Sequence, residues 1–211
     1  KRIMRYLQGT KNLCIRFGQK VADMPFCALH GNVDAGWGDC EDFRSTTGYN
    51  FISWGGAISW RSVKQKSTAL SSCEAEYMAA SEAAKEGVWC TRLFKKDFGY
   101  DDISIVTYGD LSEKEFHGSK PLTIFEDNQG TIHLSRNPVS HRSSKHIDIR
   151  YHFVRERVKD GSLVLKKIDT KLNTADIFTK VTRRVTFQFL RGKLLFPRKP
   201  QAVRKPGEPG F

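Results

Sequence analysis

The sequence lacks any apolar run of about 18 residues, which is the length that a membrane-spanning helix needs. Its first residues also lack the apolar core of a secretory signal peptide. These two absences predict a soluble, intracellular protein that has no membrane partner.

Cysteine is scarce, and its positions form no recognisable pattern. The odd number of cysteines includes no Cys-x-x-Cys pair, and the residues are Cys14, Cys27, Cys40, Cys73 and Cys90. This arrangement supports neither a disulfide framework nor a zinc knuckle. We therefore expect reduced thiols, most of them buried.

Acidic residues are outnumbered by basic ones. The 211 residues include 23 Asp and Glu against 35 Lys and Arg, which gives a net charge of +12. With 39% hydrophobic residues, the chain suits one globular domain with tails. A basic excess of this size is typical of proteins that bind a polyanion such as nucleic acid.

Strand-like segments occur in both halves of the chain. Two aromatic, β-branched runs within residues 45–60 are separated by a Gly-Gly pair, which predicts a β-hairpin. With the run before them, they predict that strands 1–3 form an antiparallel meander. Other strand-like runs lie at 13–17, 26–33, 122–127 and 162–168.

Helical patterns alternate with these strands. Ser71 and Ser72 can cap a helix that ends near Gly99. A basic helical stretch covers residues 145–159, and the pattern at 173–180 predicts the start of a final helix. The polar residues 101–119 predict an exposed loop.

Four acidic residues stand in distinct local patterns along the chain: Asp34, Glu76, Asp127 and Asp176. Asp34 and Asp127 each end a strand-like run, so all four could meet at one edge of an α/β sheet. A single acid of this kind is more often a solvated surface charge. We interpret the neighbouring acids in that way, and they are Asp39, Asp42, Glu74 and Glu126. As a set they are typical of a nuclease, because phosphodiester hydrolysis is served by two divalent ions about 3.5–4 Å apart. Without metal, repulsion should raise the pKa of at least one member.

Short blocks stand in a fixed order along residues 1–182: Gly9-Thr10, Asp34–Trp37, Arg44–Tyr49, Ile58–Trp60, Ala69–Tyr77, Asp127–Gln129, Lys145–Phe153 and Ala175–Lys180. Together they resemble the ribonuclease H domain of copia-type LTR retrotransposon Pol polyproteins. The resemblance implies the ribonuclease H-like α/β fold, a mixed five-stranded sheet flanked by helices. It also implies three segments, which are the end of a reverse transcriptase region with a linker at 1–20, the ribonuclease H domain at 21–182, and a basic C-terminal tail at 183–211.

The activity implied by the resemblance is metal-dependent endonucleolytic hydrolysis of the RNA strand of RNA–DNA hybrids during reverse transcription. By resemblance, Asp34 bridges two ions, Asp176 holds the one that activates water, and Glu76 and Asp127 hold the other. Hard oxygen ligands select Mg²⁺, for which Mn²⁺ can substitute. Gly36 stands where the family commonly has a second acid, but that position is dispensable and the set of four is complete.

The expected partners are the hybrid and the reverse transcriptase domain of the same polyprotein. The expected location is cytoplasmic virus-like particles or the nucleus. Cellular relatives carry amide side chains that touch the RNA minor groove, and the matching positions here are Ser72 and Cys73. The basic helical stretch at 145–159 is equally consistent with phosphate contacts and with an ordinary solvent-exposed helix surface. The candidate substrate contacts are Ser72, Asn128, Gln129, Lys145, Arg150, Arg155 and Arg157.

Other interpretations are weaker. A zinc site at His141, His146 and His152 is disfavoured because no cysteine follows Cys90 to complete it. An integrase, which shares this fold, needs a third acid where Leu163 stands. A catalytically decayed or domesticated copy that only binds nucleic acid stays open.

Overall fold

The computed structural model describes residues 1–18, 29–99, 121–137 and 145–198, with the side chains of 145–149 and 151 excepted. The predicted loop at 101–119 and the end of the predicted tail lie outside the described residues.

Strands and helices alternate much as the sequence patterns predict. The strands are β1 (Leu13–Cys14), β2 (His30–Gly36), β3 (Thr46–Ser53), β4 (Gly56–Lys64), β5 (Leu122–Glu126), β6 (Leu163–Lys167) and β7 (Phe196–Pro197). The helices are α1 (Arg2–Thr10), α2 (Ser72–Arg92), α3 (Gln129–Arg136), α4 (Lys145–Lys159), α5 (Asp176–Thr179) and α6 (Arg184–Leu194). A π-helical segment, Leu93–Asp97, extends α2, and a 3₁₀ turn, Thr170–Leu172, precedes α5.

One mixed sheet of five strands organises the chain, in the order β4-β3-β2-β5-β6. Strands β2, β3 and β4 are antiparallel neighbours, whereas β5 is parallel to both β2 and β6. The predicted hairpin is confirmed, with Trp54 and Gly55 at its turn, both at positive φ. This five-stranded mixed sheet flanked by helices confirms the predicted ribonuclease H-like fold.

Helix α2 packs closely on the sheet because its inward face is rich in alanine. The fully buried positions are Ala75, Ala79, Ala80, Ala83 and Ala84. The predicted cap is confirmed, since Ser71 Oγ accepts a hydrogen bond from the Glu74 amide at 3.2 Å. Glu74 in turn accepts from the Leu70 amide at 2.9 Å, so it bonds to the segment that precedes the helix rather than lying free in solvent.

Strands β2 and β5 lie at the centre of the sheet and are buried along their whole lengths. Because parallel neighbours end at the same edge of a sheet, the residues at the ends of β2 and β5 are brought together. Asp34 lies near the end of β2, and Asp127 directly follows β5.

The predicted final helix is shorter than its sequence pattern indicates. Helix α5 ends after Thr179, and the chain resumes as α6 at Arg184. The side chains of Asn173 and Thr174 bond to β2 and β3, so the helix begins at Asp176 rather than at Asn173. Helix α6 buries Leu190, and β7 pairs with β1.

The cysteine prediction is only partly met. Of the four cysteines in the described ranges, all are free, but only Cys90 is buried. None of the helices in the described part of the chain combines the length and apolar composition that a membrane crossing requires.

Candidate active site

Three of the four predicted acids converge where β2 and β5 end. Asp34 is fully buried on β2, Glu76 is buried in the first turns of α2, and Asp127 is partly buried after β5. One carboxylate oxygen from each lies within 4.8 Å of the others. We call these three residues the acidic cluster.

Asp176 reaches this cluster through a lysine. It is the first residue of α5 and is buried. The Lys180 ammonium lies 2.8 Å from Asp34 Oδ1 and 3.4 Å from Asp176 Oδ1. Thr179 Oγ1 also donates to Asp34 Oδ2. Asp34 is therefore the residue through which the fourth acid joins the other three.

The segment before α5 is fixed to the sheet by buried hydrogen bonds. Asn173 Nδ2 donates to the Val33 carbonyl at 2.9 Å, and Thr174 Oγ1 donates to Asn50 Oδ1 at 3.0 Å. Because Val33 directly precedes the cluster residue of β2, these bonds set the position of Asp176 relative to that strand.

Gly48 permits α5 to approach the sheet closely. It pairs with Asp34 across β2 and β3. A Cβ atom at position 48 would lie 2.9 Å from the Phe178 Cβ and 3.1 Å from the Ala175 carbonyl oxygen. Any larger residue would push α5, and with it the fourth acid, away from Asp34.

Burial and mutual repulsion raise the pKa of acids in this region, as expected. Burial, followed by the negative charges of Glu126 and Asp34, raises the pKa of Glu76 to about 11. Burial and then Asp34 raise the pKa of Asp176 to about 6. Burial would lower the pKa of Lys180, but Asp34 and Asp176 raise it above its ordinary value.

This electrostatic strain predicts a pH-dependent stability of the metal-free protein. A carboxyl whose pKa is higher in the folded state holds its proton longer there, so the unfolding free energy falls as pH rises. For Asp176 the stabilising contribution is complete below its ordinary pKa of 3.8 and is lost by about pH 6. We expect the Tm in chelator to fall across this window, and less so in Asp176→Asn.

The difference between the two melting curves isolates Asp176, because other titrating groups are common to both proteins. Equal slopes for wild type and Asp176→Asn would contradict the placement of this carboxyl beside Asp34. Glu76 should prolong the fall towards higher pH, since its pKa lies near 11.

The donor set fits a hard divalent cation. The acidic cluster offers only carboxylate oxygens, the ligands that Mg²⁺ and Mn²⁺ prefer. Within the described ranges, Glu76 Oε2 is buried without a hydrogen-bond partner. A bound cation would satisfy this oxygen and relieve the repulsion among the carboxylates.

One acid next to the cluster lies in a different environment from the one predicted for it. Glu126 was expected to be solvated, which is wrong, because it is fully buried at the end of β5. Its Oε1 accepts from the Asn128 amide at 2.9 Å, and burial raises its pKa well above the usual range. The central position of β5 explains the difference, since both faces of that strand are covered.

The candidate substrate contacts at two helix starts lie side by side. Thr131 Oγ1 of α3 donates to the Cys73 carbonyl of α2 at 3.2 Å. Asn128 caps α3, accepting from the Thr131 amide at 3.1 Å. Ser72 and Gln129 are exposed at these adjoining helix starts, next to the acidic cluster.

The basic candidates on α4 are spread along its length. Lys145 opens the helix, but its side chain lies outside the described residues. Arg150 and Arg155 are partly buried. Arg157 forms an ion pair with Asp160, with 2.8 Å between Nη1 and Oδ2.

Arg157 lies towards the sheet edge opposite the acidic cluster. Helix α4 leads into β6, whose first residue, Leu163, pairs with Leu122 at the start of β5. Five residues of β5, at about 3.3 Å each, separate that edge from Asp127 by roughly 16 Å. The structure therefore separates Arg157 from the acids that sequence reasoning placed beside it.

Sequence reasoning missed Lys180 and Thr179 as partners of the acids. Lys180 stands four residues after Asp176, a spacing that brings side chains together on a helix and could have indicated the ion pair. Thr179 and Gly48 gave no such signal, because their contacts join segments far apart in the sequence.

The chain is similar in sequence to known retrotransposon proteins. No protein-family profile matches the chain. It is 42% identical over 192 residues, 90% of its length, to the retrovirus-related Pol polyprotein from transposon TNT 1-94 of Nicotiana tabacum. It is 36% identical over 203 residues, 95% of its length, to the corresponding polyprotein from transposon RE1 of Arabidopsis thaliana. The chain spans 13% and 12% of these relatives.

Among solved structures, LC11-RNase H1 isolated from compost has a similar backbone, with 12% identity and a TM-score of 0.48. That match covers 72% of this chain and 92% of the other. The sheet described above gives the chain a ribonuclease H-like fold. Its homologues are retrovirus-related Pol polyproteins from transposons, which confirms the resemblance at that level. The narrower copia-type assignment stays a prediction.

Proposed function

We propose that this chain is the ribonuclease H domain of a retrotransposon Pol polyprotein and hydrolyses the RNA strand of RNA–DNA hybrids during reverse transcription. The observation that carries the proposal is the acidic cluster, whose carboxylate oxygens lie within 4.8 Å of one another. Asp176 joins it through Lys180. The homologues support the setting, because they are retrovirus-related Pol polyproteins.

Each acid has a proposed role in holding two Mg²⁺ or Mn²⁺ ions. Asp34 is shared between the two positions, Glu76 and Asp127 complete one, and Asp176 completes the other. When bound, the ions supply a nucleophile near neutral pH and offset charge on the attacking and leaving oxygens. Burial and the neighbouring carboxylates raise the pKa of Glu76, so ion binding there would favour release of its proton.

The exposed helix starts are suited to bind the RNA strand. Ser72 and Gln129 lie at adjoining N-termini, where backbone amides and the helix dipoles favour phosphate. The side-chain oxygen of Asn128 caps α3, so we assign this residue mainly to holding the start of that helix. We also propose that Glu76 can accept a hydrogen bond from a 2′-hydroxyl, the group that distinguishes RNA from DNA.

The proposed protein partner is the reverse transcriptase domain of the same polyprotein. The segment boundaries at 20 and 182 stay predictions. Helix α6 and strand β7 fall within the proposed tail, yet they contact the N-terminal segment: the rings of Tyr6 and Phe187 lie 6.0 Å apart, and β7 pairs with β1. The two outer segments are therefore in contact beside the sheet.

A substrate panel tests the proposal. The purified chain is incubated with a labelled RNA–DNA hybrid, single-stranded RNA and duplex DNA of the same sequence. We expect cleavage of RNA in the hybrid alone. A chain that binds the hybrid and cuts none of the three would instead be a binding module that has lost catalysis.

The basic helix predicts a salt-dependent contribution to hybrid binding. Replacing Arg150, Arg155 and Arg157 together with Gln should weaken binding and flatten its salt dependence, because each lost phosphate contact lowers the logarithmic slope by about 0.9. Cleavage at saturating substrate should survive. Titrations of labelled hybrid at several salt concentrations measure both quantities.

The single variant Arg157→Gln is the matched control. Its ion pair with Asp160 and its distance from the acidic cluster predict little loss of affinity. Unchanged affinity and salt slope in the triple variant at low ionic strength would make α4 ordinary solvated surface.

A further inference from the structure

The two proposed ion positions differ in what already occupies them. Asp34 and Asp176 share the ammonium of Lys180. By contrast, no lysine or arginine in the described ranges forms an ion pair with Glu76 or Asp127. Lys167 approaches closely, but it donates to the backbone carbonyl of Asp127 rather than to a carboxylate.

We infer that Lys180 acts as a built-in cation at the Asp34–Asp176 position and must leave before a second divalent ion can bind there. This inference rests on the proposed function, since it concerns the same ions. It predicts ordered binding, with the first ion entering the acidic cluster and the second competing with the ammonium.

The metal-free protein needs a positive charge at this position. Asp34 is fully buried, and a buried carboxylate without a partner is strongly unfavourable. Lys180 offsets that charge at 2.8 Å, while Thr179 satisfies the other oxygen. The ammonium therefore keeps two like-charged carboxylates on neighbouring segments together before any metal binds.

Lys180 is also able to leave. Its side chain is 42% exposed, and its long, flexible stem can carry the ammonium into solvent while the backbone stays in place. A divalent ion brings twice the charge and takes several oxygen ligands at once. Lys180 is thus a positioning residue whose occupancy sets how much metal the second position requires.

The expected size of the effect follows from occupancy. If the ammonium holds the position in about nine of ten molecules, the apparent affinity of the second ion is reduced about tenfold. Removing the ammonium should therefore raise the apparent affinity of the second ion about tenfold. The first ion should be affected less than the second, because Lys180 contacts only Asp34 among its three ligands, and Glu76 and Asp127 remain.

Mn²⁺ binding to the full chain, followed by electron paramagnetic resonance, tests this inference. Wild type should bind one Mn²⁺ ion tightly and a second one weakly, and we call binding of the second ion the weak step. Lys180→Met should increase the affinity of the weak step about tenfold. In chelator, Lys180→Met should melt about 5 °C or more below wild type, because Asp34 loses its partner.

Two further variants test whether the effect comes from the position that the Lys180 ammonium occupies, rather than from nearby positive charge or from misfolding. Lys167→Met removes a positive charge beside the cluster without freeing a carboxylate, so its weak step should stay as in wild type. Lys180→Arg keeps the charge and adds a forked donor, so its weak step should be as weak as in wild type or weaker.

Several results of these binding measurements would contradict the inference. An unchanged weak step in Lys180→Met, equal tightening in Lys167→Met, or a tighter weak step in Lys180→Arg would overturn the role of Lys180 while leaving the proposed function intact. If wild type bound no Mn²⁺, both the inference and the proposed function would fail.

Discussion

We expect Asp34→Asn and Asp127→Asn each to abolish hybrid cleavage, with a loss of at least about a thousandfold, while the protein still folds and binds the hybrid. Each change removes a ligand charge from the acidic cluster, and charge stabilisation by metal contributes several kcal/mol to the transition state. The proposed phosphate contacts lie outside the acidic cluster, so hybrid binding should be largely retained. Cleavage rates, hybrid affinity and circular dichroism measure the three properties.

The matched control is Asp39→Asn. Asp39 is exposed and accepts a hydrogen bond from Thr46 Oγ1 at 3.0 Å, outside the cluster. This variant should cleave normally. Glu126→Gln is unsuitable as a control, because Glu126 is fully buried and raises the pKa of Glu76. Activity near wild type in Asp34→Asn or Asp127→Asn would remove these acids from the reaction.

Metal identity should have a comparably large effect. We expect Mg²⁺ and Mn²⁺ to support cleavage, and Ca²⁺ or chelator to reduce it to background. The cluster's carboxylate oxygens can bind all three ions, but the longer and looser coordination of Ca²⁺ does not suit two closely placed ions. Rates in each ion at matched concentration provide the measurement.

Addition of Mg²⁺ after chelation should restore the original rate, which controls for irreversible loss of the protein. Ca²⁺ should also inhibit the Mg²⁺ reaction by competing for the same oxygens. Undiminished cleavage in excess chelator would require a metal-free mechanism and would contradict the roles given to Asp34 and Glu76.

Elements specified by adjacent residues were predictable from the sequence. The Gly-Gly pair after Trp54 marked the hairpin turn, and Ser71 marked the start of α2. The short, apolar runs before Asp34 and Asp127 placed Asp127 correctly after its strand, whereas β2 continues two residues beyond Asp34. The ordered motifs then predicted that the acids meet at one edge of the sheet. The parallel pairing of β2 with β5 accounts for the convergence of Asp34 and Asp127.

Features that depend on contacts between distant segments could not be predicted in this way. The buried bonds of Asn173 and Thr174 to the sheet delay the start of the final helix, which sequence reasoning placed at Asn173, to Asp176. Close packing of α5 on Gly48 has no local signal in the sequence. Glu126 looked solvated because its strand neighbours did not reveal that both faces of β5 are covered.

Single-turnover cleavage of a labelled RNA–DNA hybrid in Mg²⁺ tests the central claim most directly. Wild type and Asp34→Asn, expressed and purified in parallel, are compared so that a contaminating nuclease would appear in both. The proposed function predicts RNA-strand cleavage by wild type and none by Asp34→Asn. Absence of cleavage by folded, hybrid-binding wild type, or equal cleavage by both proteins, would contradict it.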